Sequence, residues 1–312
     1  MALKTLKIGT RGSPLALAQT SEVAKLLKEA HPDLSLTRVI IKTSGDWKPE
    51  DGETKLSESD GGKGLFAREI EKSLLEGKID CAVHSMKDMP SVLPDGLALD
   101  HVLKRGDVRD AFICHKAKTL KDLPQSAIVG TSSTRRQSFV LAQRPDLKCV
   151  PIRGNVQTRL DKLAAGQVDA TYLAVAGMER LGISGDFIHP VEVGEMVPSC
   201  GQATIAIETR ENDADVRAIL DKIHHKKTGL CSCVERAALR VLDGSCHTPI
   251  GAYAHIKNGV LYFNLVLSSL DGKQVYEEAV EAENILTRQD AVNLGAVTAK
   301  RIKVTAPATL FT

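Results

Sequence analysis

LKIGTRGSPLALAQTSEVAKLLKEAHPDLSLTRVIIKT, residues 6–43, is the stretch on which the fold is read. Leu6–Thr10 is a short strand. Ser13 and Pro14 form an N-cap and first-turn pair: the hydroxyl satisfies an orphan amide, and a first-turn proline has no useful amide to lose. The helix they open runs to about Ala30, where His31-Pro32 stops it. Leu36–Thr43, rich in β-branched residues, is a second strand. Further on, Phe66, Ile70 and Leu74 recur at helical spacing, so Leu65–Glu76 is an amphipathic helix, and Ile79–Val83 is the next strand. This βαβαβ order predicts a mostly parallel sheet with helices on its faces.

A second α/β unit follows. Ala111–Cys114, Ala127–Ser132, Leu147–Arg153 and Ala170–Ala174 read as strands, with helices at Ser133–Gln143 and Asn155–Ala165. After Val197 the chain returns to a strand, Thr204–Glu208, and then a helix from about Asp213. The last third differs. Thr228–Leu242 is helical, and Ile250–Ile256, Val260–Ser268 and Gln274–Glu281 are strands joined at Asn258-Gly259 and Asp271-Gly272, dipeptides that favour hairpin turns. Gln289–Arg301 closes with a helix. The segment SGDWKPEDGETKLSESDGGKG (44–64), about twenty residues rich in Gly, Asp and Ser, is either a lid over a site or disordered.

A chain of 312 residues exceeds one ordinary core and suits two or three domains. Hydrophobic residues at 43% and charged residues at 26% mark a globular protein rather than a disordered one. With 41 Lys+Arg against 39 Asp+Glu the net charge is +2, and aromatics are only 4%, so nucleic acid is an unsuitable partner. No apolar run has the length of a membrane span, and MALKTLKIGTRGSPLALAQ has neither a signal-peptide core nor an import leader. Seven cysteines without a framework spacing then point to reduced thiols in the cytoplasm.

Arginine placement is the strongest unusual feature. Arg11, Arg135, Arg136, Arg153, Arg159 and Arg180 lie mostly where strands give way to helices, the place where open α/β sheets bind ligands. Ser13, Ser132 and Ser133 add hydroxyls and helix N-termini, which also favour anions. Any one of these arginines reads best as a surface group or an interdomain salt bridge. Several together at strand ends imply a polyanionic ligand, because guanidinium pairs bidentately with carboxylate.

In VHSMKDMP, Asp88 and Lys87 follow the strand end at His84-Ser85. A carboxylate there either stabilises a cationic intermediate and moves protons, or simply satisfies turn amides. In DGSCHTPIGAYA, Cys246 sits in a glycine-flanked loop beside His247, which suggests a reactive or derivatised thiol. Cys81, Cys114 and Cys149 lie inside strand patterns and read as buried. His224-His225 and Cys231-x-Cys233 match no zinc spacing, and both pairs fall in helix-like sequence, so no metal is expected. No nucleotide-binding fingerprint appears, and GGKGLF with Lys63 lacks the rest of a phosphate loop.

Together RGSPLALAQ, GGKGLF, VHSMKDMP, GTSSTRRQ, RGNVQTRL, LAVAGMERLG, GQATIAIE and GSCHTPIGAYA closely resemble the porphobilinogen deaminase (hydroxymethylbilane synthase) family, in that family's order and over nearly the whole chain. The resemblance implies condensation of four porphobilinogen molecules, with loss of ammonia, to the linear tetrapyrrole hydroxymethylbilane, on a dipyrromethane cofactor held as a thioether by Cys246. It implies catalytic roles for Asp88 and Lys87. Cofactor contacts would come from Arg135, Arg136, Ser133, Lys87, Asp88, Ser85, Arg153 and Arg159, and substrate contacts from Arg11, Ser13, Arg153, Arg159, Arg180 and Lys63. It further implies three α/β domains, the first two like type-II periplasmic binding proteins and the third a small antiparallel sheet with helices. Their expected limits are 1–103 with 203–222, 104–202, and 223–312.

The chemistry agrees with such a ligand. Each pyrrole carries an acetate and a propionate, so six rings present about twelve carboxylates, which need several cationic partners. Loss of ammonia gives an electron-poor azafulvene, cationic when protonated, and Asp88 suits that charge. A thiolate is a soft nucleophile toward the same species. The expected partner is porphobilinogen, with no nucleic acid, membrane or metal, in a cytoplasmic monomer. The chain departs from the family's Pro-Ala-x-Gly-Gln with Pro198-Ser199-Cys200-Gly201-Gln202, and its Trp47 and SESD are unusual in the 44–64 segment. A binding module that traps a small polyanion without chemistry is the main rival class, and a thiol- or metal-dependent protein using Cys231 and Cys233 is the second.

Overall fold

The computed structural model describes residues 3–43, 67–242 and 248–310. Strand β1 (Thr5–Thr10) leads into helix α1 (Pro14–Ala30) and strand β2 (Ser35–Ile40). Ser13 caps α1 by accepting from the Ala16 amide, and Val23 and Leu27 are its buried apolar stripe. The two strands pair in parallel, Thr5 opposite Ser35 through Thr10 opposite Ile40. Helix α2 (Arg68–Leu75) and strand β3 (Cys81–Ser85) come next, and β3 joins the other side of β1. Strand β4 (Leu97–Val102) completes the part of this sheet made before the chain leaves it.

The second sheet holds β5 (Asp110–Ile113), β6 (Ile128–Gly130), β7 (Lys148–Val150), β8 (Ala170–Ala174) and β9 (Ile188–Pro190), in the order β7-β6-β8-β5-β9. Helices α3 (Thr134–Gln143), α4 (Val156–Ala164) and α5 (Val175–Arg180) connect its strands. The chain then returns as β10 (Ile205–Arg210), which inserts between β3 and β4 to give the order β2-β1-β3-β10-β4.

The return strand corrects the expectation of a mostly parallel sheet. β10 runs antiparallel to both β3 and β4, and β5 runs antiparallel to both β8 and β9. Parallel neighbours need a crossover helix between them, whereas β10 arrives directly from the other sheet and enters from the opposite end.

After α6 (Ala214–Asp221), the helices α7 (Lys226–Val241) and α8 (Arg288–Thr305) pack on an antiparallel sheet of β11 (Ile250–Lys257), β12 (Val260–Ser268) and β13 (Val275–Ala282). The β11–β12 hairpin turns at Asn258 and Gly259, with φ of 52° and 84°, the left-handed pair that such a two-residue turn requires. The fold is therefore α/β with a third, small antiparallel sheet carrying helices.

Each sheet has its own apolar core. Leu6, Ile8, Val23, Leu27 and Ile205 form one, Phe112, Val129, Phe139 and Tyr172 another, and Val234, Phe263, Leu265 and Ile302 the third. The two connections between the first two sheets meet the third unit at Glu235 of α7, which is fully buried. Its carboxylate accepts from Arg105 at 2.5 and 3.2 Å, from the Gly201 amide at 2.7 Å and from the Ala254 amide at 2.8 Å. Arg105 also donates to the Gln202 carbonyl at 2.8 Å, so both connections between the first two sheets are tied to the third at one ion pair.

His224 and His225 lie before α7 rather than within it. His225 caps that helix, its Nδ1 accepting from the Thr228 amide at 3.2 Å, and His224 Nδ1 accepts from the Val102 amide at 3.2 Å. Cys231 is buried in the third core, and Cys81 and Cys114 are buried as the strand patterns predict. Cys149 is half-buried, and burial pushes its thiol up to about 11. No described helix is long and apolar enough to cross a membrane.

Candidate active site

The C-terminal ends of β1, β3 and β6 present Arg11, Ser85 and Ser132-Ser133. Beyond β3 the chain tightens into a 3₁₀ turn, Met86–Asp88, which leaves Lys87 and Asp88 half-buried at the strand end. Ser85 is fixed by Gln19 of α1, whose Nε2 donates to Ser85 Oγ at 2.9 Å. Ser133 caps α3 by accepting from the Arg136 amide at 3.4 Å, so the serine that opens the helix also sets where the two arginines begin.

Arg135 and Arg136 are buried, and both close on Asp110 at the start of β5. Arg135 Nη2 lies 2.6 Å from Oδ2, and Arg136 donates to Oδ1 through Nη2 at 2.6 Å and Nε at 3.1 Å. Their remaining reach goes to the backbone: Arg135 Nη1 to the Val197 carbonyl at 2.8 Å and Arg136 Nη1 to the Tyr172 carbonyl at 2.7 Å. Gln202 adds a fourth donor to Asp110, 3.2 Å from Oδ1. Burial alone would raise the Asp110 carboxyl, but the two guanidiniums outweigh it and hold it well below the usual carboxylate range.

Lys87 stands in the field of this cluster. Burial pulls its ammonium down to about 8, with Asp88 opposing and Arg136 reinforcing the shift. Lys87, Arg135 and Arg136 thus face Asp88 and Asp110, three cations against two carboxylates, with one positive charge in excess. Arg135 Nε is buried with no hydrogen-bond partner among the described residues. An excess cation and an orphaned guanidinium N–H are what a carboxylate-bearing ligand would complete.

The other expected residues lie at helix starts and ends. Asn155 caps α4, accepting from the Thr158 amide at 2.9 Å, and Arg159 Nε donates to the Gly154 carbonyl at 3.0 Å. Arg153 precedes that cap, and its carbonyl accepts from Lys162 at 2.9 Å. Arg180, at the end of α5, is engaged elsewhere: Nε meets Glu22 of α1 at 3.2 Å and Nη2 the Ala203 carbonyl at 3.2 Å. It bridges the first two units. Cys246 and Lys63 lie outside the described residues, as does the whole 44–64 segment.

Residues 6–218 match the family model described as "Porphobilinogen deaminase, dipyromethane cofactor binding domain", and residues 229–304 match "Porphobilinogen deaminase, C-terminal domain". The chain belongs to the porphobilinogen deaminase family. It is 46% identical to the porphobilinogen deaminase of Nitrobacter hamburgensis over 98% of this chain and 95% of that one. It is 48% identical to the chloroplastic porphobilinogen deaminase of Oryza sativa subsp. japonica over 87% of this chain and 76% of that one. Among solved structures, a putative methionine-binding lipoprotein from Bacillus subtilis is similar at a TM-score of 0.43 and 14% identity, covering 72% of this chain and 92% of that chain.

Within this porphobilinogen deaminase framework, two residues escaped the sequence reading. Asp110 is hidden as the polar first residue of the strand DAFI, and Gln202 stands in the Pro198–Gln202 segment with no signal of its role beside Asp110. An acidic residue heading an apolar strand was the available signal for Asp110.

Proposed function

We propose that this chain is a hydroxymethylbilane synthase whose reacting centre is the Ser85–Asp88 turn facing the Arg135–Arg136 pair. The observation that carries the reading is the charge excess around Lys87, with a buried guanidinium N–H left for an anion. That donor set fits the acetates and propionates of a dipyrromethane. When bound, the dipyrromethane supplies the free pyrrole α-carbon at which the chain grows.

The residues divide the remaining work. Arg135, Arg136 and Ser133 hold cofactor carboxylates, Arg153 and Arg159 serve cofactor and growing chain, and Arg11, Ser13 and Lys63 take those of incoming porphobilinogen. Arg180 contributes to the same substrate set from its bridge to Glu22. Lys87, mostly charged at pH 7, donates to a carboxylate. Asp88 accepts from pyrrole N–H and stabilises the positive charge that develops in the substrate as ammonia leaves. It is also the group to which the ring proton passes. Cys246 anchors the primer through its thiolate, since a C–S thioether survives turnover.

The reading includes a cytoplasmic monomer in three units, 1–103 with 203–222, 104–202 and 223–312. Intact mass tests its core. The purified protein should exceed its chain mass by two porphobilinogen units less two ammonias, Cys246→Ser should not, and added porphobilinogen should release ammonia. Binding without ammonia release would leave only a module for trapping polyanions.

A further inference from the structure

Behind the Ser85–Asp88 turn lies a buried cluster of three titratable side chains that this chemistry does not use. In the β3–β10 ladder His84 lies opposite Ala206 and Glu208 opposite Ala82, so His84 and Glu208 leave the same face of the sheet. That face is covered by α2, whose Ile70 and Leu74 pack with Ala82. His84 Nε2 and Glu208 Oε2 are 2.9 Å apart. Glu71 of α2 is the third member, and all three are buried, Glu208 with 0% exposure. Neither Glu71 Oε1 nor Glu208 Oε1 has a hydrogen-bond partner among the described residues.

We propose that Glu208 is a positioning residue for the reaction, fixing through His84 the strand end that presents Ser85, Lys87 and Asp88. The proposal rests on the reading that Asp88 and Lys87 serve that reaction. Stability gives no reason for the arrangement. A fully buried carboxylate with an orphaned oxygen is costly, and an apolar side chain would fill the same sheet face without that cost. Groups retained against stability are expected where placement matters more.

The turn is gripped on its other sides as well. Gln19 holds Ser85, and the Met86 amide donates to the Thr204 carbonyl at 3.0 Å. Gly201, at φ +72°, presses so closely that a Cβ there would lie 2.6 Å from Met86 Cγ. His84 is the remaining handle, adjacent to Ser85 and seized by Glu208. Glu71 supports this seat: burial and then the Glu208 charge push it up to about 7, opposed by His84 and by Arg68 one turn back. Below that pH Glu71 is mostly protonated.

The test uses the cofactor-loaded enzyme, assayed well below its melting range so that lost stability is not read as lost rate. Glu208→Gln should keep the cofactor mass and hold KM within about twofold, while kcat falls about tenfold. His84→Gln should do the same, and the double variant should be no slower than either single one, because the two act through one contact. Losses that multiply, or wild-type kcat in loaded Glu208→Gln, overturn the proposal. If Glu208→Gln does not fold, His84→Gln decides: a lowered kcat at unchanged KM supports it, and wild-type kcat overturns it. Asp88→Asn, run alongside, isolates the underlying reading, which falls if that variant turns over normally even where Glu208 and His84 prove coupled.

Discussion

Arg136 grips a single oxygen of Asp110, Oδ1, with two of its nitrogens, while Arg135 takes the other oxygen. One buried carboxylate therefore organises two adjacent guanidiniums. Removing one partner of such a group typically costs about 3–5 kcal/mol, since the others stay buried and unpaired. Asp110→Asn should lower the melting temperature strongly in the cofactor-free protein and less in the loaded one, where ligand carboxylates replace the lost charge. Equal losses in both forms, by calorimetry, would separate Asp110 from the ligand site.

Arg135→Ala should show the complement. The Asp110 carboxylate keeps Arg136, so the fold survives, but cofactor assembly should be impaired, and intact mass should show a large apo fraction. Full loading of both Arg135→Ala and Arg136→Ala would move the anion site elsewhere.

Asp88→Asn should keep the fold and the cofactor mass yet nearly abolish ammonia release from porphobilinogen. The amide retains the shape but not the negative charge that a developing cation needs. A near-normal rate would remove Asp88 from the chemistry.

Lys87 predicts a pH dependence for anion binding. With its ammonium at about 8, the positive charge is present below that pH and lost above it. In cofactor-free Cys246→Ser protein, the Kd for succinate should be flat from pH 6 to 7 and weaken between about pH 7 and 9. Lys87→Arg should flatten the profile, because guanidinium stays charged throughout. A wild-type profile that is already flat would refute the assignment.

Glu71 gives a stability signature of definite sign. Its folded value of about 7 lies above its ordinary 4.5, so the folded state holds a proton that the unfolded state releases. Its contribution is full below about pH 4.5 and is lost as pH rises through 7. Glu71→Gln, which mimics the protonated form, should match the wild type near pH 4 and exceed it by about 3 kcal/mol at pH 8 in urea unfolding. No difference between the two pH values would show that Glu71 is ionised throughout.

Much of this was legible in the chain. Ser13-Pro14 marked the start of α1, Asn258-Gly259 marked a hairpin, and the arginines stood at strand ends, because capping, turn chemistry and periodicity are local. The direction of β10 was not legible, since it depends on where a strand enters after a hundred residues in another sheet. Nor was the burial of Arg135 and Arg136. Their partner Asp110 precedes them by 25 and 26 residues, and only tertiary structure brings a strand's first residue beneath a helix's first turn. Nor was the pairing of Glu208, the acid that closes the apolar run TIAIE, with His84, 124 residues away.

The place of β10 between β3 and β4 also sets a clock on synthesis. β4 ends at Val102 and sits at the margin of its sheet, with β10 as its neighbour, and β10 ends at Arg210. A ribosome adding ~5–20 residues per second makes the intervening hundred or so residues in about 5–20 s. Throughout that interval the nascent chain carries Leu97–Val102 and one side of Cys81–Ser85 as unpaired strand edges, both largely apolar. Chaperone demand should therefore peak while the middle of the chain is being translated and fall once Ile205–Arg210 emerges.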